Sequence, residues 1–463
     1  VGPSTSIAHD GASIYRRLAI LAWPIVLGRA TQSVVGFADA LMVAPLGEAP
    51  LAAVTTGALN TFVLVILPIG TVTILQSFSA QLRGRGELDA VRRFAWYGLL
   101  VALFAQILAA LLIPLAPLAL ARLRYAPEVQ VAMERYLAIR FLSVGFAVGS
   151  EALGNWYGGL GNTRVGMIAG IVTMVANVAL NWLLIQPRLG LPGFGVAGAA
   201  WASVGASALG FVVVFAIFVR GLGVEETARR PAGRLRRDEL VRVLRFGLPN
   251  GVNWFLEFAA FILFIDVVVG SLGTTVLAAF NVVMQLNSMS FMPASGLASA
   301  GAILVGEAIG RGEKDEVWPI VRRTAIAACC YMGAVGVLYV LMPRRLIGVF
   351  GAPSVSTDGL VAVGATMLLL SAVWQIFDGI GLTLGEALRA AGDTTWCMLA
   401  RLILAWALFT PLAWTAIFVF HGGVVTVMIA LIVYLAALAA LMAWRFAMGR
   451  WRSIEIVGEP PVA

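Results

Sequence analysis

Apolar runs of roughly twenty or more residues follow one another along this chain, separated by short polar breaks in which arginine recurs. About 20 apolar helical residues cross the ~30 Å of membrane hydrocarbon, so the pattern predicts about twelve membrane-spanning helices. They fall near 17–43, 50–79, 94–120, 131–158, 165–186, 196–219, 243–270, 276–306, 318–343, 359–388, 397–420 and 424–447. One polar break is unlike the rest. The run RGLGVEETARRPAGRLRRDELVRVLR, from Arg220 to Arg245, is the longest and most basic, and it lies near the midpoint. It divides the chain into an N-terminal lobe (1–219), a basic linker (220–242), a C-terminal lobe (243–450) and a tail (451–463).

Composition narrows the class. Of 463 residues, 60% are hydrophobic and 12% charged, and the mean hydropathy is +0.92. Soluble domains carry about 25% charged residues, so a water-facing surface of ordinary size cannot be built here. No removable signal peptide is expected, since the first apolar run follows Tyr15, Arg16 and Arg17 and is too long for one. Cys329, Cys330 and Cys397 are odd in number and set among apolar residues, which suits packing and not a disulfide framework. His9 and His421 are too few and too distant for a metal cluster. The net charge of +8 is mostly arginine at span ends, which reports orientation in the membrane and not nucleic-acid binding. Arg16, Arg17, Arg83, Arg85, Arg92, Arg93, Arg164, the linker, Arg311, Lys314, Arg322, Arg323, Arg389, Arg445, Arg450 and Arg452 all fall on one side if both termini are cytoplasmic. Arg122, Arg124, Arg344 and Arg345 are the exceptions. Walker A, HExxH, GxSxG and CxxC patterns are missing, so an enzyme is not expected, nor a cofactor, and an ion gradient or the substrate itself must supply energy.

The two lobes echo each other. LAAV at Leu51 returns as LAAF at Leu277, and GRGE at Gly84 returns at Gly310, both 226 residues on. Asp39 in FADALMV matches Asp266 in FIDVVV, GLGNT near Gly161 matches RAAGDT near Gly392, and Trp23-Pro24 parallels Leu248-Pro249. The offset spans six helices, an even number, so the lobes share one orientation about an axis along the membrane normal, as in transporters built from parallel repeats.

Carboxylates inside spans cost at least ~2.5–3.5 kcal/mol on insertion scales and need a reason. Glu257 lies twelve residues beyond Arg245 and Asp378 eleven before Arg389, roughly 18 and 16 Å from the inner ends at 1.5 Å per residue. Two acids at one depth in a shared cavity repel, which suits the pair to take up a proton or hold a cation. The competing reading is that each is satisfied separately at helix contacts. In the first lobe, Asp39 lies in the outer part of span one, Asn177 and Asn181 share a face of span five, and Ser203 is just inside the outer end of span six. Together they offer the hard oxygen ligands that Na⁺ or a proton relay uses. Asp266 reads as an interfacial acid and Glu386 as the partner of Arg389. Glu151 is deep and is a third cavity acid or unexplained. Met284, Gln285 and Phe291, in a Met- and Phe-rich stretch, are candidates for lining a guest pocket or for ordinary packing. Pro24, Pro68, Pro249 and Pro293 stand at equivalent places, as kinks or bending points. Arg29 and Arg140 read as the arginines inside the membrane.

The residues WP…FADALMV, Asn177/Asn181, GLPNGVNWFLEF, WQIFDGIG and the paired GLGNT/AAGDT turns resemble the multidrug and toxic compound extrusion (MATE) transporters over nearly all of 14–450. Glu257 and Asp378 resemble the acids of its NorM-type branch. The resemblance implies an all-α fold of two pseudo-symmetric six-helix bundles in a V shape, in the bacterial inner membrane, working as a monomer by alternating access. It implies export of cationic lipophilic drugs or dyes in exchange for H⁺ or Na⁺, among membrane lipids and without nucleic acid. Glu257 and Asp378 would couple the ion in the C-terminal lobe, and Asp39, Asn177, Asn181 and Ser203 in the N-terminal lobe, where the serine replaces a threonine. Trp374 stands where that branch often carries tyrosine, and losing the hydroxyl favours protons over Na⁺ at the C-terminal site. The alternative is a flippase of lipid-linked oligosaccharide or peptidoglycan precursors in the same superfamily. It would call for arginines within the spans to hold pyrophosphate.

Overall fold

The computed structural model describes residues 11–122, 125–190, 192–229, 233–350 and 357–458. His9, Arg124 and Arg230 lie outside the described residues. Among the described residues, twelve helices are long and apolar enough to cross a membrane. They are α1 (Ser13–Leu46), α2 (Glu48–Arg85), α3 (Leu88–Leu120), α4 (Pro127–Gly159), α5 (Arg164–Leu184), α6 (Gly195–Val219), α7 (Arg237–Leu272), α8 (Thr274–Gly310), α9 (Lys314–Leu341), α10 (Gly359–Ala390), α11 (Thr394–Phe418) and α12 (Val424–Ala447). No strand occurs among the described residues, and the chain is an all-α multi-pass membrane protein. Each apolar run of the sequence maps onto one helix.

The ends of the helices differ where charge, not hydropathy, decides. α7 starts at Arg237, so residues 237–242 of the basic run are helical. Asp238 and Glu239 stand in its first turn, where the helix dipole favours acids. Arg236 and Arg242 reach Asp238 at 3.2 and 2.9 Å. A hydropathy scan reads such a turn as loop because its residues are polar.

The repeat seen in the sequence is a repeat of backbone conformation. Gly47 and Gly273 have φ of 112° and 103°, Gly86 and Gly312 75° and 81°, and Gly223 and Gly449 75° and 69°. Each pair keeps the 226-residue offset of the GRGE motifs, and Gly161 and Gly392 (81° and 91°) follow the turn motifs. At Gly86 the requirement is plain: it closes the preceding helix in the left-handed conformation, its N–H donating to the Leu82 and Arg83 carbonyls, and a side chain there is strained. Pro24, Pro68, Pro249 and Pro293 lie inside helices.

The chain packs as two units, one formed by 24–251 and the other by the chain up to Trp23 together with that from Val252 onward. Both boundaries fall inside helices, beside Pro24 in α1 and two residues past Pro249 in α7. In the first unit, Glu239 at the head of α7 accepts from Arg93 at 2.8 and 2.9 Å and from the Tyr97 hydroxyl at 2.7 Å. Further along α7, Asn250 Nδ2 donates to the Gly70 carbonyl (2.7 Å) and to Thr73 Oγ1 (2.8 Å). A Cβ on Gly251 would stand 2.2 Å from the Leu67 carbonyl oxygen, so only glycine allows α7 this close to α2. In the second unit, Arg17 at the head of α1 pairs with Glu307 of α8 at 2.8 Å.

The turn between α10 and α11 carries a buried ion pair. Arg445 of α12 grips Asp393 with two bonds of 2.7 and 3.1 Å and lies 4.9 Å from the Trp396 ring centre. Asp393→Ala is expected to lower stability by about 3–5 kcal/mol, because it strands the guanidinium. Thermal unfolding of the purified variant in detergent checks this, and a melting temperature equal to wild type would refute the role.

Candidate functional site

In the first unit, four residues singled out in the sequence meet. α1 carries Asp39, α5 carries Asn177 and Asn181 one turn apart, and α6 carries Ser203. Asn181 Nδ2 donates to Asp39 Oδ1 at 2.5 Å and to Asn177 Oδ1 at 3.0 Å, and Asn177 Nδ2 donates to Ser203 Oγ at 3.4 Å. Asn177, Asn181 and Ser203 are at most 3% exposed. An ionised carboxylate only accepts, so Asn181 must turn its amide nitrogen to Asp39. Its Oδ1 is thereby left buried with no hydrogen-bond partner. A buried acceptor without a donor costs about 1–3 kcal/mol, and a small cation or a proton-bearing group would relieve it.

Two residues of α4 complete the surroundings. Tyr136 and Arg140 stand one turn apart and interact electrostatically with each other and with Asp39. The Tyr136 hydroxyl and Arg140 Nε are buried without a well-formed hydrogen bond, while Arg140 Nη1 donates to Ser143 Oγ. Arg140 was expected inside the membrane. Tyr136 was not singled out, although its place four residues before an intramembrane arginine was a usable sign.

In the second unit, the acids at Glu257 and Asp378 do not stand as a bare pair. Arg401 of α11 reaches Glu257 through Nη1, 3.1 Å from Oε2 and 3.4 Å from Oε1. Asp378 interacts electrostatically with both and makes no hydrogen bond or ion pair among the described residues. Tyr434 of α12 is within electrostatic reach of all three. A recess beside them is lined by Asn253, Leu256, Glu257, Arg401, Leu402 and Trp406. The sequence pattern reads Arg29 and Arg140 as the arginines inside the membrane, and it does not single out Arg401, which pairs with Glu257. It lies four residues into the apolar run starting at 397, where an arginine reads as an anchor at the membrane surface. A π-helical stretch, Leu404–Phe409, begins three residues on; such stretches occur often at functional sites.

The remaining candidates separate. Trp374 is buried, one turn before Asp378 on α10. Glu151 accepts from Asn155 Nδ2 at 2.9 Å on its own helix, which accounts for it locally. Glu386 pairs with Arg389 as expected, and Asp266 is exposed. Gln285 and Phe291 are exposed and Met284 half-buried, so these three are not enclosed by the fold. Gln375, beside Trp374 on α10, is not singled out by the sequence: it is 1% exposed, donates to Asn287 Oδ1 at 2.7 Å and accepts from Ser290 at 3.3 Å.

Comparison with known proteins gives a consistent picture. The MatE family model matches residues 24–183 and 249–415. A probable multidrug resistance protein NorM from Rhizobium meliloti is 29% identical, over 98% of this chain and 96% of its own. The multidrug resistance protein NorM of Aliivibrio fischeri is 26% identical, over 85% of each. Among solved structures, an outward-facing multidrug resistance MATE family transporter of the MOP superfamily superposes with a TM-score of 0.84 at 18% identity, over 98% of this chain and 100% of its own. That likeness speaks to the fold.

Proposed function

This chain belongs to the MatE family of membrane transporters and is not an enzyme, and from that premise we propose that it is a multidrug efflux antiporter of the bacterial inner membrane. It exports cationic lipophilic compounds in exchange for H⁺ or Na⁺ by alternating access, with both termini cytoplasmic. The observation that carries the reading is the Asp39–Asn181–Asn177–Ser203 chain with its stranded Asn181 oxygen. A carboxyl group and an unsatisfied oxygen lie together in a water-poor place, where a coupling proton or small cation would be held. The names of the relatives, multidrug resistance proteins at full length, support the substrate class. Asp378, with no ion pair among the described residues, supplies the negative charge for the guest or for a second coupling proton. The purified protein in liposomes, loaded with ethidium, is expected to export it when a pH gradient or a Na⁺ gradient is imposed. Ethidium held at the level of protein-free liposomes under both gradients would overturn the reading.

A further inference from the structure

We propose that Arg401 is a tethered counter-ion that sets the net charge around Glu257 and Asp378, so that the guest met there is a monovalent organic cation and divalent cations are excluded. The proposal rests on the export reading above. Glu257 lines the recess and Asp378 stands within electrostatic reach of it, and a bare pair would carry two negative charges and suit a dication. The structure holds a third charge there. The Arg401 guanidinium lies on Glu257, while Asp378 has neither an ion pair nor a hydrogen bond among the described residues. One carboxylate is therefore spoken for by the protein itself, and one remains for the guest.

The packing shows that the guanidinium is built into this place. Its second amino group lies against α10 at Gly385, where a Cβ would stand only 3.0 Å from Nη2. Gly385 is seven residues, two turns, beyond Asp378 and so on the same face of α10. Arg401 thus meets α7 at Glu257 and α10 at Gly385, within electrostatic reach of Asp378. Arginine suits the role because it stays charged at any ordinary pH and is less strongly hydrated than lysine. A fixed positive charge in a region of low dielectric repels a second positive charge on the guest while leaving the first free to meet Asp378.

Ethidium and propidium test this, since they share one aromatic ring system and differ by an added quaternary ammonium. Equilibrium binding to the purified protein is read from dye fluorescence polarisation. Wild type is expected to prefer ethidium. Arg401→Gln, which leaves two carboxylates and no counter-ion, is expected to shift the propidium-to-ethidium affinity ratio by at least about tenfold toward propidium, a modest effect for a unit charge at close range in an effective dielectric near 20. Glu257→Gln, with one carboxylate against one guanidinium, is expected to lose ethidium binding. Glu257→Gln/Arg401→Gln restores a single net negative charge and is expected to recover ethidium binding with the wild-type preference. That rescue decides the matter even if Arg401→Gln alone does not fold. An unchanged ratio in Arg401→Gln, or no recovery in a well-folded double variant, overturns the proposal. Wild type that binds neither dye overturns the export reading instead.

Discussion

An Asp39→Asn variant is expected to reach the membrane in normal amount and yet export no more ethidium than protein-free liposomes. The substitution is nearly isosteric, and the new amide oxygen can still accept from Asn181 Nδ2, so the hydrogen-bonded chain to Asn177 and Ser203 can persist. Its one certain effect is to remove the charge. The insertion cost of a carboxylate is lifted as well, which favours folding by a few kcal/mol at most. If Asp39 were only a structural link between α1 and α5, the asparagine would serve almost as well, and export would survive. Export at half the wild-type rate or more, from protein that melts at the wild-type temperature, contradicts the assignment.

The second large effect is expected at Asp378. Asp378→Asn removes a carboxylate that has neither a hydrogen bond nor an ion pair among the described residues, so the variant should lose coupled export and bind ethidium more weakly. A carboxylate–cation attraction of about 2 kcal/mol at close range in a partly buried site corresponds to roughly 30-fold in affinity. Competition distinguishes this from a general loss of shape. In wild type, protonating Asp378 and binding the dye exclude each other, so raising the proton concentration displaces ethidium. In Asp378→Asn the remaining weak binding should lose most of that competition. Full export by the variant, or unchanged dye affinity, would show that the guest's charge is met elsewhere.

Much of this was legible in the sequence because it is written in period and composition. Twelve apolar runs needed only length, and the parallel repeat needed only the recurrence of LAA and GRGE, which the left-handed glycines at 47/273, 86/312 and 223/449 carry into backbone conformation. The Asp39, Asn177, Asn181 and Ser203 group was legible because polar side chains stand out against apolar helices at matched depth. Three things were not. Arg401 lies near the start of an apolar run, where arginine is common as an interfacial anchor, and only the packing of α7 against α11 shows that it faces Glu257. Tyr136 and Gln375 belong to residue types that helix contacts bury routinely, so composition alone does not mark them. The packing boundaries beside Pro24 and Pro249 are also hidden from hydropathy. They fall within continuous helices, held by pairs such as Arg93–Glu239 and Arg17–Glu307 that join residues 146 and 290 positions apart.

An organic cation and a small cation are expected to move in opposite directions, and counterflow tests this most directly. Liposomes containing the protein are given an ethidium gradient and no ion gradient, and internal pH or ²²Na⁺ is followed at once. The account predicts that ethidium leaving the liposome draws H⁺ or Na⁺ inward, and that Asp39→Asn stops both flows together. Ethidium crossing at an undiminished rate with no opposing ion movement would contradict it.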